Sequence, residues 1–293
     1  MDEYAWLADR FEERRPRLRA VAYRMLGSVS EADDAVQEAW LRLSRADTSS
    51  VENLTAWLTT VVGRVCLNTL RARRQRREEP LEVHVPDPII GPDHAGDPEH
   101  EAVLADSVGL ALLVVLDTLA PAERLAFVLH DMFAVPFEEI APMIDRSPAA
   151  ARQLASRARR RVQGQAPVPD PDLARQREAV NAFFAAARGG DFEALVAVLH
   201  PDIVLRADGG ASRNRPSVVL HGPREVAANA VMASRLAAYL RPALINGAAG
   251  VVCEVNGKVF SLMAFTVVEG KIAEIDVLYD PERVAGLDLT VLD

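Results

Sequence analysis

The chain has 293 residues, a formal net charge of −9, 49% hydrophobic residues and only 5% aromatic ones. That length fits two or three domains with cores built mainly from Ala, Leu and Val, and no charge-free run of eighteen apolar residues is present to cross a bilayer. Cys66 and Cys253 stand far apart in apolar surroundings and read as buried, reduced thiols of a cytoplasmic protein; with no metal-ligand spacing among the six histidines, no metal or cofactor is expected.

The N-terminal MDEYAWLADRFEERR is charged and lacks the apolar centre of a signal peptide. Residues 1–77 are helical by pattern. Leu18, Val21, Ala22, Met25 and Leu26 form an apolar stripe that Gly27-Ser28 ends, and Ser30-Glu-Ala-Asp33 reads as a capping arrangement for the next helix. In that helix Ala32, Ala35, Val36, Ala39, Trp40 and Leu43 make the buried face. Asp34, Gln37 and Glu38, spaced i, i+3 and i+4, form an acidic and amide patch, which is either a docking surface or a solvated helix side. A polar segment, 44–53, follows. Leu54, Trp57, Leu58, Val61 and Val65 then restart a helix whose other face carries Arg64, Asn68, Arg71 and Gln75, extended by Arg73, Arg74, Arg76 and Arg77. Residues 53–77 hold six arginines and no acid. Such a helix suits a nucleic-acid backbone, with Asn68 able to reach a base edge.

Residues 78–106 reverse the charge, with nine acids, no Lys or Arg, and five prolines. They read as an acidic, proline-rich linker, not a packed element. Residues 107–163 follow. Within them 137–144 has helical apolar spacing, Asp145-Arg146-Ser147-Pro148 makes a break, and Ser147 and Pro148 suit the cap and first turn of a helix running to about Gln163. Ala151, Leu154, Ala158 and Val162 fall on one stripe; Arg152, Ser156 and Arg160 fall on another, flanked by Arg157 and Arg159. This is a helix-turn-helix whose second helix presents arginines to phosphates or guanine edges. The other reading is an amphipathic helix with a solvated basic face.

A proline-rich break at 164–171 precedes the third module, 172–293. Helices are predicted at about 176–187, 191–199 and 224–232, with a strand from His200 into the Asp208-Gly209-Gly210 turn. Four strands are then predicted at 242–245, 251–255, 259–268 and 271–279, with Asn256-Gly257 and Glu269-Gly270 as hairpin turns. Helices followed by a curved antiparallel sheet give an α+β cone. His200, His221, Asp208 and Asp276 are its acid-base candidates, and Asp276 could point into the cone with Leu278. No second group stands at a persuasive spacing for catalysis, so the expectation is a non-enzymatic chain.

The motifs resemble a known family. SEADDAVQEAWLRL is similar to the core-binding segment of bacterial sigma factors, WLTTVVGRVCLNTLRARRQRR to the helix that reads the −10 element, and LAPAERLAFVLHDMFAVPFEEIAPMIDRSPAAARQLASRARR to the −35-reading helix-turn-helix of the extracytoplasmic-function (ECF) group. The resemblance covers residues 1–163. It implies that Asp34, Gln37 and Glu38 contact RNA polymerase core. Arg64, Asn68, Arg71 and Arg74 would lie at the −10 element, although the family usually has Asp where this chain has Asn68. Arg152, Ser156, Arg157 and Arg160 would lie at the −35 element, and the 44–53 loop would capture a flipped base. The third module resembles the SnoaL-like fold, which some ECF sigma factors carry as a C-terminal extension. In those, a Pro-Glu-Pro-type linker motif corresponds to Pro86-Asp87-Pro88, an Asp-Gly-Gly-Gly-Lys turn to Asp208-Gly209-Gly210-Ala211-Ser212, and an Asn-Pro-x-Lys-Leu-like motif to residues 280–284.

The expected architecture is therefore multidomain: two all-α sigma domains plus a SnoaL-like cone. The implied partners are bacterial RNA polymerase core and promoter DNA, without a membrane. A small apolar ligand in the cone is a further candidate, and an anti-sigma partner stays open. A one-component DNA-binding regulator and an enzyme with a helical adaptor are the competing readings. The acidic patch and the second basic helix speak against the first, and the segregated arginines against the second.

Overall fold

The computed structural model describes residues 3–46, 53–76, 83–91, 109–210, 216–233, 238–287 and 289. The tip of the 44–53 loop, Arg77, most of the acidic linker and Ala211-Ser212 lie outside the described residues. The chain divides into two compact units, one of residues 1–80 with 115–165 and the other of residues 81–114 with 166–293.

The first unit is helical: α1 (Glu3–Glu12), α2 (Arg15–Leu26), α3 (Val29–Leu43), α4 (Leu54–Arg76), the end of α5 (Leu110–Asp117), α6 (Pro121–Phe127), α7 (Phe137–Ile140) and α8 (Pro148–Gln165). Local chemistry sets the boundaries. Gly27 stops α2 in the left-handed region, at φ 68°, with its N–H returned to the Tyr23 carbonyl. Ser28, extended at φ −132°, then caps α3 by accepting from the Glu31 N–H. The cap thus stands two residues before the predicted one, because the chain turns directly out of the Gly27 stop and Ser28 is the first residue in extended conformation to offer an acceptor. Asn53 caps α4 by accepting from the Ala56 N–H at 3.1 Å. Helix α6 runs on as a π turn through Met132, and α7 runs on as a 3-10 turn through Met143, since Pro142 offers no N–H to an α-helical ladder. Asp145 takes φ 55°, and Ser147 caps α8 by accepting from the Ala150 N–H at 3.3 Å.

The core of this unit is aliphatic. Leu18, Val21, Met25, Leu26, Ala32, Leu43, Leu58, Val62, Leu67, Leu125 and Ile140 are all buried. Helix α4 packs on the 115–165 segment through Gly63, where an added Cβ would sit 3.3 Å from the Met143 Sδ and 3.4 Å from Leu125 Cδ1.

The second unit is an α+β cone. Helices α9 (Leu173–Gly189), α10 (Phe192–Val198) and α11 (Pro223–Ala233) cover one face of a sheet whose strands are β1 (Ile90–Gly91), β2 (Leu199–Asp208), β3 (Val218–His221), β4 (Leu240–Ile245), β5 (Ala248–Val255), β6 (Lys258–Val268) and β7 (Lys271–Leu278); α12 (Pro281–Ala285) follows. The order is β1-β4-β5-β6-β7-β2-β3, antiparallel throughout except for the parallel β7–β2 pair. Asn246-Gly247, Asn256-Gly257 and Glu269-Gly270 all take positive φ at both residues, which is the geometry of tight hairpins. The core gathers Phe183, Phe184 and Phe265, packed edge to face at 5.3–5.9 Å between centroids.

Two expectations are corrected here. The linker is partly packed: β1 pairs with β4 through Ile90↔Ile245 and Gly91↔Leu244, and Val83, Val85 and Ile90 are buried. Its charges and prolines obscured apolar side chains such as Val85 and Ile90, which find partners more than 120 residues away. The later break also docks, because the Asp170 N–H donates to the Val267 carbonyl and the Asp170 carboxylate accepts from the Gly270 N–H.

Candidate nucleic-acid interface

Helix α3 turns Ala32, Ala35, Val36 and Ala39 inward and leaves Asp34 and Gln37 exposed, with Glu38 half-buried. Glu38 pairs with Arg42 at 2.8 Å, one helical turn on. The three residues sit together on the side of the helix away from the core.

Helix α4 leaves Arg64, Asn68, Arg71 and Arg74 exposed. One of these is engaged: Arg64 Nη2 donates to the Pro142 carbonyl at 3.2 Å. Arg73 turns inward instead, pairing with Glu31 and donating to the Leu26 carbonyl at 3.0 Å.

Helix α8 buries Ala151, Ala155 and Ala158, so its packing stripe is made of the smallest side chains and the helix lies close to its neighbours. Its arginines divide into two groups. Arg157 and Arg161 approach the Glu123 carboxylate at 3.6 and 3.8 Å, and Arg159 pairs with Asp131 at 2.5 Å. Arg152 sits over the Phe137 ring at 5.2 Å, and that ring is itself stacked on His130 at 3.8 Å. The guanidinium is thus oriented without being neutralised. Arg160 is exposed and Ser156 half-buried.

Two groups that the sequence did not single out hold the helical unit together. Phe133 lies between the guanidinium groups of Arg17 and Arg24, at 5.4 and 4.8 Å, and its carbonyl accepts from Arg17 at 2.9 Å. Arg124 is 1% exposed. It donates to the Arg24 carbonyl at 3.1 Å and to Asp117 at 2.9 Å, while its Nη2 has no hydrogen-bond partner among the described residues. Burial lowers its pKa and Asp117 opposes that shift. The neighbouring Cys66 thiol is pushed up to about 12, chiefly by burial. It is held as an inert thiol.

In the second unit the linker is gripped where three short motifs meet. Arg283 of α12 donates to Asp87 at 2.5 Å, to Asp208 at 2.8 Å and to the Val85 carbonyl at 2.5 Å. The Asp208 carboxylate, 2% exposed as a residue, also accepts from the Val85 N–H at 2.9 Å and from the Gly210 N–H at 2.9 Å. Gly210 takes φ 71°, and a Cβ there would collide with the Asp280 carboxylate that caps α12. Glycine is thus required twice over, for its conformation and for its size. Pro88, Val85 and Leu110 lie over Leu262, Ala264, Asp276 and Leu278 of the sheet. The segment is also tied by a reciprocal pair, Ile89 N–H to Asn246 Oδ1 at 2.9 Å and Asn246 N–H to the Ile89 carbonyl at 2.8 Å.

Asp276 does not point into the cone. It shares the linker-covered face with Leu278, while Ile275 and Val277 line the cone interior, as alternation along β7 requires. Its pKa is raised to about 7, first by burial, with Arg206 at 3.2 Å pulling it down and Glu274 pushing it up. The cone interior holds a partly open cavity of about 510 Å3 lined mostly by aromatic and aliphatic side chains. Neither His200 nor His221 lines it.

Comparison with known proteins agrees with this geometry. The family "Sigma-70 region 2" matches residues 10–77 and "Sigma-70, region 4" matches residues 109–162. The chain is 33% identical over 277 residues to the probable ECF RNA polymerase sigma factor SigI of Mycobacterium tuberculosis, covering 91% of each protein. It is 46% identical over 200 residues to the ECF RNA polymerase sigma factor SigJ of the same organism, a match that takes in 68% of this chain and 64% of SigJ. The crystal structure of M. tuberculosis SigJ superposes with a TM-score of 0.76 at 35% identity, covering 96% of this chain and 99% of that one. Among the described residues no helix is long and apolar enough to cross a membrane. With both sigma regions in order and a relative alike along nine-tenths of its length, the chain belongs to the extracytoplasmic-function family of RNA polymerase sigma factors, which direct promoter-specific transcription initiation.

Proposed function

We propose that this sigma factor is modulated in cis by its cone domain, which acts by gripping the linker between the two DNA-reading modules. The observation that carries the reading is the Arg283 clasp. One guanidinium joins Asp87 and Val85 of the linker to Asp208 at the end of β2. In this reading Asp34, Gln37 and Glu38 bind polymerase core, Arg64, Asn68, Arg71 and Arg74 face the −10 element, and Arg152, Ser156, Arg157 and Arg160 face the −35 element.

Geometry supports a need for such control. The two promoter elements lie more than 20 base pairs apart, roughly 70 Å at about 3.4 Å per pair. In the helical unit α4 packs directly on α6 and on the turn after α7, with Arg64 bonded to Pro142. The two modules must separate to span a promoter. The chain between Arg76 and Leu110 could reach about 110 Å fully extended, so it suffices once free, and residues 83–91 in its middle are the part the cone holds.

The cavity adds a second regulatory element, a site for a small molecule. Among the described residues its lining offers Asn229, Ser261 and Tyr279 and no carboxylate or imidazole, which supports binding over acid-base catalysis.

The test is run-off transcription with bacterial core polymerase, comparing the full-length protein with Asp87→Ala on a promoter selected from genomic DNA. The expected result is core-dependent initiation by the wild type and a rate altered about threefold or more by the substitution. Equal rates would overturn the cis reading. A point substitution is the cleaner probe, because cutting the chain after residue 165 would strip Val83, Val85 and Ile90 of the sheet that covers them.

A further inference from the structure

The cone cavity is large enough for a small organic molecule and poorly suited to water. Its volume of about 510 Å3 falls within the usual range of ligand sites, and apolar walls give water too few partners. Phe183, Phe184, Met263, Ile275 and Val277 supply those walls. Polar groups are few and mostly engaged. The Ser261 hydroxyl bonds the Cys253 thiol, and the Tyr279 hydroxyl donates to the Pro216 carbonyl. Asn229 has no hydrogen-bond partner among the described residues, so one amide is left to meet a ligand. A carboxylate or ammonium would enter with no counter-charge among the described lining residues, and burying an unpaired charge is strongly unfavourable.

The cavity wall is also the back of the clasp. Along β2, Ala207 lines the cavity and the next residue, Asp208, grips the linker. Along β7, Val277 and Tyr279 line the cavity while Leu278 lies beneath the linker. The Tyr279 N–H donates to the Asp208 carbonyl at 2.9 Å, and Asp280, the next residue, caps the helix that carries Arg283. A molecule that packs against Ala207, Val277 and Tyr279 therefore restrains the backbone that positions both Asp208 and Arg283.

We propose that the cavity binds a neutral, mostly apolar molecule bearing one hydrogen-bonding group, and that its occupancy tightens the clasp on residues 85–87. The regulatory half rests on the reading in which the clasp controls the sigma factor; the binding half does not.

The experiment uses the full-length protein with Nile red, a neutral apolar fluorophore, and two competitors of equal chain length, 1-dodecanol and dodecanoate. Nile red is expected to bind in the micromolar range. Ala230→Trp and Ala233→Trp, which place an indole in the cavity from α11, should each weaken it about tenfold. Ala233 lies on the exposed last turn, so one filled variant keeps its fold even if the other does not. Dodecanol should displace the dye about tenfold better than dodecanoate at pH 8. With dye bound, hydrogen exchange in the peptide covering 83–91 should slow about threefold. No binding by the wild type, undiminished binding in a folded filled variant, or equal displacement by dodecanoate would overturn the binding site. Unchanged exchange at saturation would overturn the coupling. Asp87→Ala should lower dye affinity by no more than about the same threefold, as reciprocity of the coupling requires, so the cavity still binds dye while the transcription rate of this variant judges the clasp reading.

Discussion

Each of the two units contains an arginine that joins separate elements by bonding a backbone carbonyl and a carboxylate, Arg124 in one and Arg283 in the other, and the two differ in how much water reaches them. Arg124 joins α6 to the end of α2 and to Asp117 with its side chain 2% exposed. Arg283 joins α12 to the linker and to Asp208 with its side chain 22% exposed. A buried guanidinium whose Nη2 has no hydrogen-bond partner among the described residues has no cheap alternative to its bonds, so it acts as a permanent rivet. A guanidinium at the edge of water can exchange its bonds for hydration, so it can let go. The difference teaches where to look for a moving part: at the half-buried tie, not the buried one.

The largest effect should follow from breaking the rivet. Arg124→Ala removes the bonds that Arg124 makes to Asp117 and to the Arg24 carbonyl and should destabilise the helical unit by about 3–5 kcal/mol. Chemical denaturation followed by circular dichroism measures this. A loss below about 1 kcal/mol would mean that Arg124 is as replaceable as a surface residue, and the comparison would fail.

Asp276 sharpens the contrast, because it is a buried charge in the unit whose tie is loose. Its carboxyl is raised from 3.8 to about 7, by burial first and by Glu274 next, against the pull of Arg206. An acid whose pKa rises on folding binds more protons in the folded state between those two values. Stability is then highest at the acid end of that window and falls as pH rises through about 7. The expected loss between pH 5 and pH 8 is on the order of a few kcal/mol. It should be felt first where Val85 and Pro88 cover the group. Asp276→Asn should flatten the dependence of the cone's melting temperature on pH; an unchanged slope would place the titrating group elsewhere.

Much of this arrangement was legible in the sequence, and the limits have physical causes. The helix-turn-helix, the long basic helix and strands β4 to β7 announce themselves by local periodicity and turn residues, and the structure finds each within a few residues of its predicted span. Strands β1 and β3 do not, because both are short; β1 also pairs with a strand more than 150 residues on, and β3 only alternates half-buried and exposed positions. Asp276 shows why period two is not enough. Alternation gives the two faces of β7, but both are buried, one by α9 and the cavity and one by the linker, so pattern alone could not say which face is the interior. Arg124 was hidden for a related reason: in sequence it is one more charge on a short helix, and only packing removes it from water. Asp208, Gly209 and Gly210 were flagged by resemblance, whereas the requirement for glycine at 210 comes from Asp280, seventy residues on.

Breaking the clasp should be milder than breaking the rivet. Arg283→Ala removes charge-assisted bonds to Asp87 and Asp208 and should lower the local stability of residues 83–91 by about 2–3 kcal/mol. The global melting temperature should move little, since the sheet core does not depend on the bond. Hydrogen exchange resolves the two. If protection of the 83–91 peptide survived the substitution, the Ile89–Asn246 pair and the buried Val85 would be the true anchors and Arg283 an accessory.

The exposed arginines of α8 complete the series from buried to free, and they should separate by partner. Arg159 spends its charge on Asp131, so Arg159→Ala should change promoter affinity little. In the proposed reading Arg152 and Arg160 both meet DNA, in different ways. Arg152 sits over the Phe137 ring at 5.2 Å, a supported presentation suited to a base edge. Its replacement by alanine should weaken binding by about 1–3 kcal/mol and relax selectivity at one position of the −35 element. Arg160 has no such support, and a flexible cation reads phosphate more readily than a base. Arg160→Ala should therefore weaken all sequences alike, by about 1 kcal/mol, and reduce the slope of log K against log salt by about one. Measured with holoenzyme on wild-type and single-base-substituted promoters over a salt series, the two variants should differ in kind as well as in size. If Arg152→Ala also weakened every sequence equally, the Phe137 platform would be a packing feature, and selectivity would have to come from Ser156 or from DNA shape.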